Sequence, residues 1–93
     1  MTQEILSNEI LVNRLKRIEG QIRGIQKMIE QGRDCESIIT QLGAVRSAIE
    51  GVGALWLSNY MKFCFRGSSE PRLDSINSLG WAVAIWGRVR VGD

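Results

Sequence analysis

Two runs of apolar residues, each stepping by four and three, leave this chain little choice of fold. Leu11, Leu15, Ile18, Ile22, Ile25 and Ile29 form the first; Ile38, Leu42, Val45, Ile49, Val52 and Trp56 form the second. Such steps keep side chains on one face of an α-helix, whereas a strand would scatter them to both faces. Between the runs stand Gly32, Arg33 and Asp34. Glycine readily takes the left-handed conformation that ends a helix, and aspartate caps the start of the next. Ser7 or Asn8 can cap the first helix in the same way. After Gly67-Ser68-Ser69, the stretch Ser69-Glu70-Pro71 resembles a helix start with proline in the first turn, and Leu73, Ile76, Leu79, Val83 and Trp86 follow as a shorter stripe. The spacing predicts an all-α, three-helix chain with helices over about 8–31, 35–66 and 71–88, in one domain spanning 1–93. The tail from Arg88 to Asp93 is expected to fray.

The second helix is too apolar for a hairpin to cover. Ile39, Leu55 and Leu57 add a second set outside its main stripe, so partner chains are expected to pack on it as the centre of an oligomeric bundle. A chain of 93 residues also has a core that is marginal alone. Gly20 and Gly24 fall inside the first helix, where each costs about 1 kcal/mol relative to alanine. Close approach by another helix is the expected use of both, with a tolerated defect as the alternative.

Cys35 and Cys64, the two cysteines of the chain, stand near opposite ends of the second helix. On one straight helix they lie roughly 43 Å apart, and a disulfide needs Cα atoms within about 7 Å. They cannot meet within a protomer. The same spacing returns Cys64 to within about 20° of the Cys35 direction around the helix. Two copies packed antiparallel therefore place Cys35 of one beside Cys64 of the other, twice. Cys35 stands in the first helical turn, where the positive end of the dipole favours an anion. It is the expected attacking thiol, with Cys64 of the neighbour as its resolving partner. Such pairs are often simple core residues, because free cysteine is commonly buried.

Charge and composition narrow the chemistry. From Asn13 to Arg33, Arg14, Lys16, Arg17, Arg23, Lys27 and Arg33 face only Glu19 and Glu30. A run like this is commonly a solvated helix face, but its sign also suits an acidic polymer such as DNA. Histidine is absent, which removes the commonest general base and the commonest nitrogen ligand. Neither a Ser/His/Asp arrangement nor a phosphate-binding glycine loop is present, so an enzyme is not expected. Met1-Thr2-Gln3-Glu4 lacks the cationic start of a secretory peptide, and no apolar run approaches a membrane span. Two cysteines then fit the reducing cytoplasm.

Leu15-Lys16-Arg17-Ile18-Glu19-Gly20-Gln21-Ile22-Arg23-Gly24, then Asp34-Cys35, Gln41, Ala44-Val45-Arg46 and Cys64, resemble the CsoR/RcnR family of small bacterial transcriptional repressors. The resemblance covers residues 11 to 66 and, loosely, the third helix. It implies an antiparallel four-helix-bundle dimer, assembled as a dimer of dimers, that binds operator DNA and releases it when a small inducer reaches a site shared between protomers. By the same resemblance Arg14, Lys16, Arg17, Arg23 and Arg46 are the DNA-contact candidates. A further basic position of some members corresponds here to Gly51 and is not carried over.

The ligand set ranks the candidate inducers. Copper-sensing members use Cys-His-Cys; here the cysteines match Cys35 and Cys64, but the histidine position is Tyr60. Nickel and cobalt sensors need several nitrogen ligands. Formaldehyde sensors rely on an N-terminal proline where Thr2 stands. The chain is most similar to the histidine-lacking, persulfide-sensing (CstR-like) members. A dithiol without nitrogen ligands can exchange with persulfide and close as a disulfide. The alternative is Cu(I) held as a metal inducer by the same two thiolates, since Cu(I) selects sulfur. No cofactor is required in either reading. Tyr60 lies near the sensing site, with an interfacial aromatic role expected. A thiol enzyme and a helical adaptor are the remaining classes.

Overall fold

Local chemistry explains where each helix begins and ends. The computed structural model describes residues 7–65 and 73–88, without the side chains of Cys64, Phe65, Leu73 and Ser75. Among them, α1 runs Asn8–Glu30, α2 Cys35–Phe65 and α3 Leu73–Arg88. The expected break at Gly67-Ser68-Ser69, the start at Ser69-Glu70-Pro71 and the tail beyond Arg88 lie outside the described residues.

Of the two cap candidates for α1, Ser7 is used. Its backbone is extended, and its side chain accepts the Ile10 N–H at 3.3 Å. At the far end Gly32 is left-handed, with φ +68°. Its N–H donates to the Ile29 carbonyl at 3.1 Å, and the Arg33 N–H donates to the Met28 carbonyl at 2.9 Å. This pair of bonds is the Schellman closure, which satisfies carbonyls that the ended helix would otherwise orphan. Asp34 then opens α2: its Oδ2 accepts the Ser37 N–H at 2.9 Å and its carbonyl accepts the Ile38 N–H at 3.2 Å. Termination and restart are thus completed within residues 31–34, short enough to make α1 and α2 a helical hairpin.

The hairpin core uses alternate members of the two apolar stripes. Ile18, Ile25 and Val45 form a buried cluster against which Ile38, Ala48 and Val52 pack. Leu11, 4% exposed, continues the α1 row at the same seven-residue spacing, while Leu15 between them is 43% exposed. Ile22 and Ile29 on α1 and Leu42, Ile49 and Trp56 on α2 are likewise exposed. Two helices can cover only one flank of each stripe, so the other flank stays open within the chain.

Two compact units share α2. Ser7–Val52 is the hairpin, and the second unit begins at Gly53 and holds the rest of α2 with α3. Inside the second unit Trp86 of α3 lies against Gly53: a Cβ built there would come within 2.6 Å of the indole Cη2 and 2.7 Å of Cε2. A side chain at that position would have to displace the indole, which is 39% exposed. No described helix is long and apolar enough to cross a membrane.

Candidate functional site

The helix start that Asp34 builds also places the first thiol. Cys35 is the first residue of α2, exposed and free. Hydrogen bonds from Ser37, first from its backbone N–H and then from its hydroxyl, hold the neighbouring Asp34 carboxyl below the ordinary carboxylate range. Cys35 heads a row with Leu42 and Ile49 at seven-residue spacing, and both of those side chains are exposed, at 44% and 40%. The thiol therefore lies on the flank of α2 that α1 leaves open. Cys64 belongs to the last turn of α2, but its side chain is outside the described residues. Tyr60 is half-buried, with its ring 6.2 Å from that of Phe63.

The five DNA-contact candidates are all exposed, but they do not form one row. Lys16, Arg17 and Arg23 occupy the half of α1 turned away from Leu11, Ile18 and Ile25. Arg14, three residues after Leu11 and four before Ile18, flanks the buried seam instead. Arg46 follows the buried Val45 on α2. Lys27 joins Lys16 and Arg23 on the outer row, a position that motif matching passed over and that lies one helical turn beyond Arg23. Among the described residues, no third Cys, Asp or Glu gathers with others into a metal-binding group.

Gly20 and Gly24 do not admit a helix of this chain. A Cβ at Gly24 would meet nothing within 4 Å, and one at Gly20 would meet only the Arg23 side chain. Reading the sequence also missed Asn59, a buried polar residue that has a partner, and the Gly53–Trp86 contact. Composition gives no signal for either, since both depend on how the helices of the second unit pack.

These features define a small all-α protein with an uncovered helical seam, a cysteine in the first and last turns of its long helix, and a basic outer row on the helix before it. A family profile described as metal-sensitive transcriptional repressor matches residues 7–83, and the chain belongs to that family, the CsoR/RcnR repressors. It is 46% identical over 54 residues to the copper-sensing transcriptional repressor CsoR of Bacillus subtilis, a match covering 58% of this chain and 54% of that one. It is 43% identical over 51 residues to the copper-sensing repressor RicR of Mycobacterium tuberculosis, covering 55% and 53%. The chain thus spans about half the length of these two relatives. The solved structure of the nickel-responsive transcriptional regulator InrS superposes with a TM-score of 0.81 and 34% identity, over 92% of this chain and 99% of that one. The family's description is that of a transcriptional repressor.

Proposed function

We propose that the chain is a cytoplasmic, operator-binding repressor, a dimer of dimers whose DNA is released when Cys35 and Cys64 of the partner subunit react together. The observation that carries this reading is the position of Cys35 at the head of the open row with Leu42 and Ile49. A second α2 laid antiparallel on that row covers the apolar residues and brings the two thiols together. Arg14, Lys16, Arg17, Arg23 and Arg46 supply the phosphate contacts. Linking the thiols fixes the spacing of the paired helices and favours an arrangement whose basic surfaces no longer fit the duplex. A coupling of about 1–3 kcal/mol is enough.

The donor set argues for the chemistry. With no histidine in the chain, the nitrogen-rich sites that suit Ni(II) or Co(II) do not fit. A persulfide R–S–SH fits two thiols. The Cys35 thiolate takes its outer sulfur and releases RSH; Cys64 of the partner subunit then displaces hydrosulfide and closes a disulfide. The two thiols are oxidised and the sulfane sulfur is reduced. The copper-sensing relatives favour a second reading, Cu(I) held by both thiolates.

One experiment separates them. An operator is selected from random duplex DNA, and its release is followed with a persulfide donor and with Cu(I), with mass spectrometry of the cysteine peptides afterwards. Release by the donor with a Cys35–Cys64 crosslink, lost in Cys35→Ser and Cys64→Ser, is the expected result. Release by Cu(I) alone, without covalent change, establishes the copper reading. Release by neither overturns the thiol switch.

A further inference from the structure

The contact between Gly53 and Trp86 fixes how α3 runs on α2. Gly53 to Phe65 and Leu73 to Trp86 are helical stretches of nearly equal length, roughly 18 and 20 Å. A residue late in α3 that meets a residue so far back on α2 requires the two helices to lie antiparallel. On α2, Gly53, Leu57, Tyr60 and Cys64 step by four, three and four residues and share one face; on α3, Ser75, Leu79, Ala82 and Trp86 do the same. Antiparallel pairing from the Gly53–Trp86 anchor sets Leu57 opposite Ala82, Tyr60 opposite Leu79, and the Cys64 position opposite the first turn of α3. Burial follows the two stripes. Leu57, Tyr60, Leu79 and Ala82 are all half-buried, whereas Phe63, Trp81 and Ile85, which lie off the stripes, are 61%, 67% and 55% exposed.

Cys35, by contrast, is exposed and free at the start of α2. A reagent in solution therefore meets the two thiol positions on unequal terms. We propose that α3, seated by Trp86 over Gly53, shields the Cys64 position and so fixes the order of the thiol reaction. A persulfide R–S–SH from solution reacts first at Cys35, whose thiolate takes the outer sulfur while RSH leaves. Cys64 of the partner subunit is reached only by the persulfide so formed; it attacks the inner sulfur, and the outer one departs as hydrosulfide while the disulfide closes. The two thiols are oxidised and the sulfane sulfur is reduced. Without the shield a second donor molecule would load Cys64 as well, leaving separate persulfides and no bond between subunits. Trp86 is a positioning residue in this scheme: it acts by holding α3 in place, about three helical turns from Cys64 along α2.

This inference rests on the dithiol reading and is tested with the full, reduced chain. Iodoacetamide is added to the native and to the denatured protein, and the alkylation rates of Cys35 and Cys64 are read separately by mass spectrometry of their peptides. Cys64 is expected to react at least about tenfold more slowly in the native chain than in denaturant, with Cys35 much less protected. Trp86→Ala and Gly53→Ala, which unseat α3 from its two sides, are expected to raise the Cys64 rate and leave the Cys35 rate unchanged. Trp81→Ala, on the exposed side of α3, should change neither. With a persulfide donor, the two unseated variants should accumulate Cys64 persulfide at the expense of the crosslink. A native Cys64 that reacts as fast as in denaturant overturns the shield, whether or not the variants fold. Protection that survives both variants overturns it too, because another surface then covers the thiol. Either result leaves the repressor reading standing as long as the donor still releases the operator. A chain that binds no operator refutes that reading, while the alkylation rates still decide the shield.

Discussion

Asp34 joins the two kinds of chemistry at the start of α2. It caps the helix through the Ser37 N–H and stands next to the exposed Cys35. Because those hydrogen bonds lower its carboxyl in the folded chain, the unfolded chain takes up the proton first as pH falls. The cap therefore contributes fully above the ordinary value of 3.8 and is lost as pH drops through the lower folded value. Thermal melts of the parent and of Asp34→Asn, which caps without titrating, are expected to run parallel above that value. Below it the parent should lose stability faster. Curves that stay parallel well into the acid range would show that the carboxyl is not linked to folding. Gly32 works on the same scale: its φ of +68° is a conformation that side chains with a Cβ resist, so α1 stops there and α2 can turn back. Both residues were legible in the sequence, because a cap involves only groups within four positions along the chain.

Among the elements, α2 is asked to do most. Its first part closes the hairpin core through Val45 with Ile38, Ala48 and Val52, and its later part meets α3 where Trp86 covers Gly53. That second contact predicts a sharp contrast between glycines. Gly53→Ala drives a methyl into the indole ring and should displace Trp86. In a background where Trp56 and Trp81 are phenylalanine, the remaining tryptophan emission shifts to the red and the chain melts at lower temperature. Gly24→Ala, with nothing within 4 Å, should leave that emission unchanged. Identical spectra for Gly53→Ala and the parent would mean that α3 is not held by this contact. The apolar stripe of α3 announced a helix but not its seat. Trp81, near the middle of the helix, remains 67% exposed while Trp86 finds a notch, and composition alone cannot say which indole has a seat waiting for it.

For the whole molecule, the exposed flank decides the outcome. Leu15, Ile22 and Ile29 on α1 and Leu42 and Ile49 on α2 would remain wet in a monomer, at about 25 cal/mol for each Å² of apolar surface left uncovered. In the proposed assembly, partner copies remove that penalty and complete the thiol pair. The double variant Leu42→Glu, Ile49→Glu is expected to sediment as a monomer with reduced helical signal. It should also lose any crosslink between Cys35 and Cys64 under a persulfide donor. An unchanged oligomeric mass would show that the copies meet through some other face.

What the sequence by itself determined is local and periodic. The four-three stripes and the Gly32–Asp34 punctuation settle the helices and their hairpin turn, because backbone hydrogen bonds and caps close within a few residues, and the residues that match the family profile place the chain in its family. What only the tertiary structure decided is which flank of each stripe is used. Leu11, Ile18, Ile25 and Val45 go inside, while Leu15, Ile22, Leu42 and Ile49 stay out. All of them obey the same spacing, and only the direction from which a second helix approaches distinguishes one flank from the other. The same is true of the glycines. Gly53 is filled by Trp86 and Gly24 is open, a difference set by whether a side chain packs there and not by the residue itself.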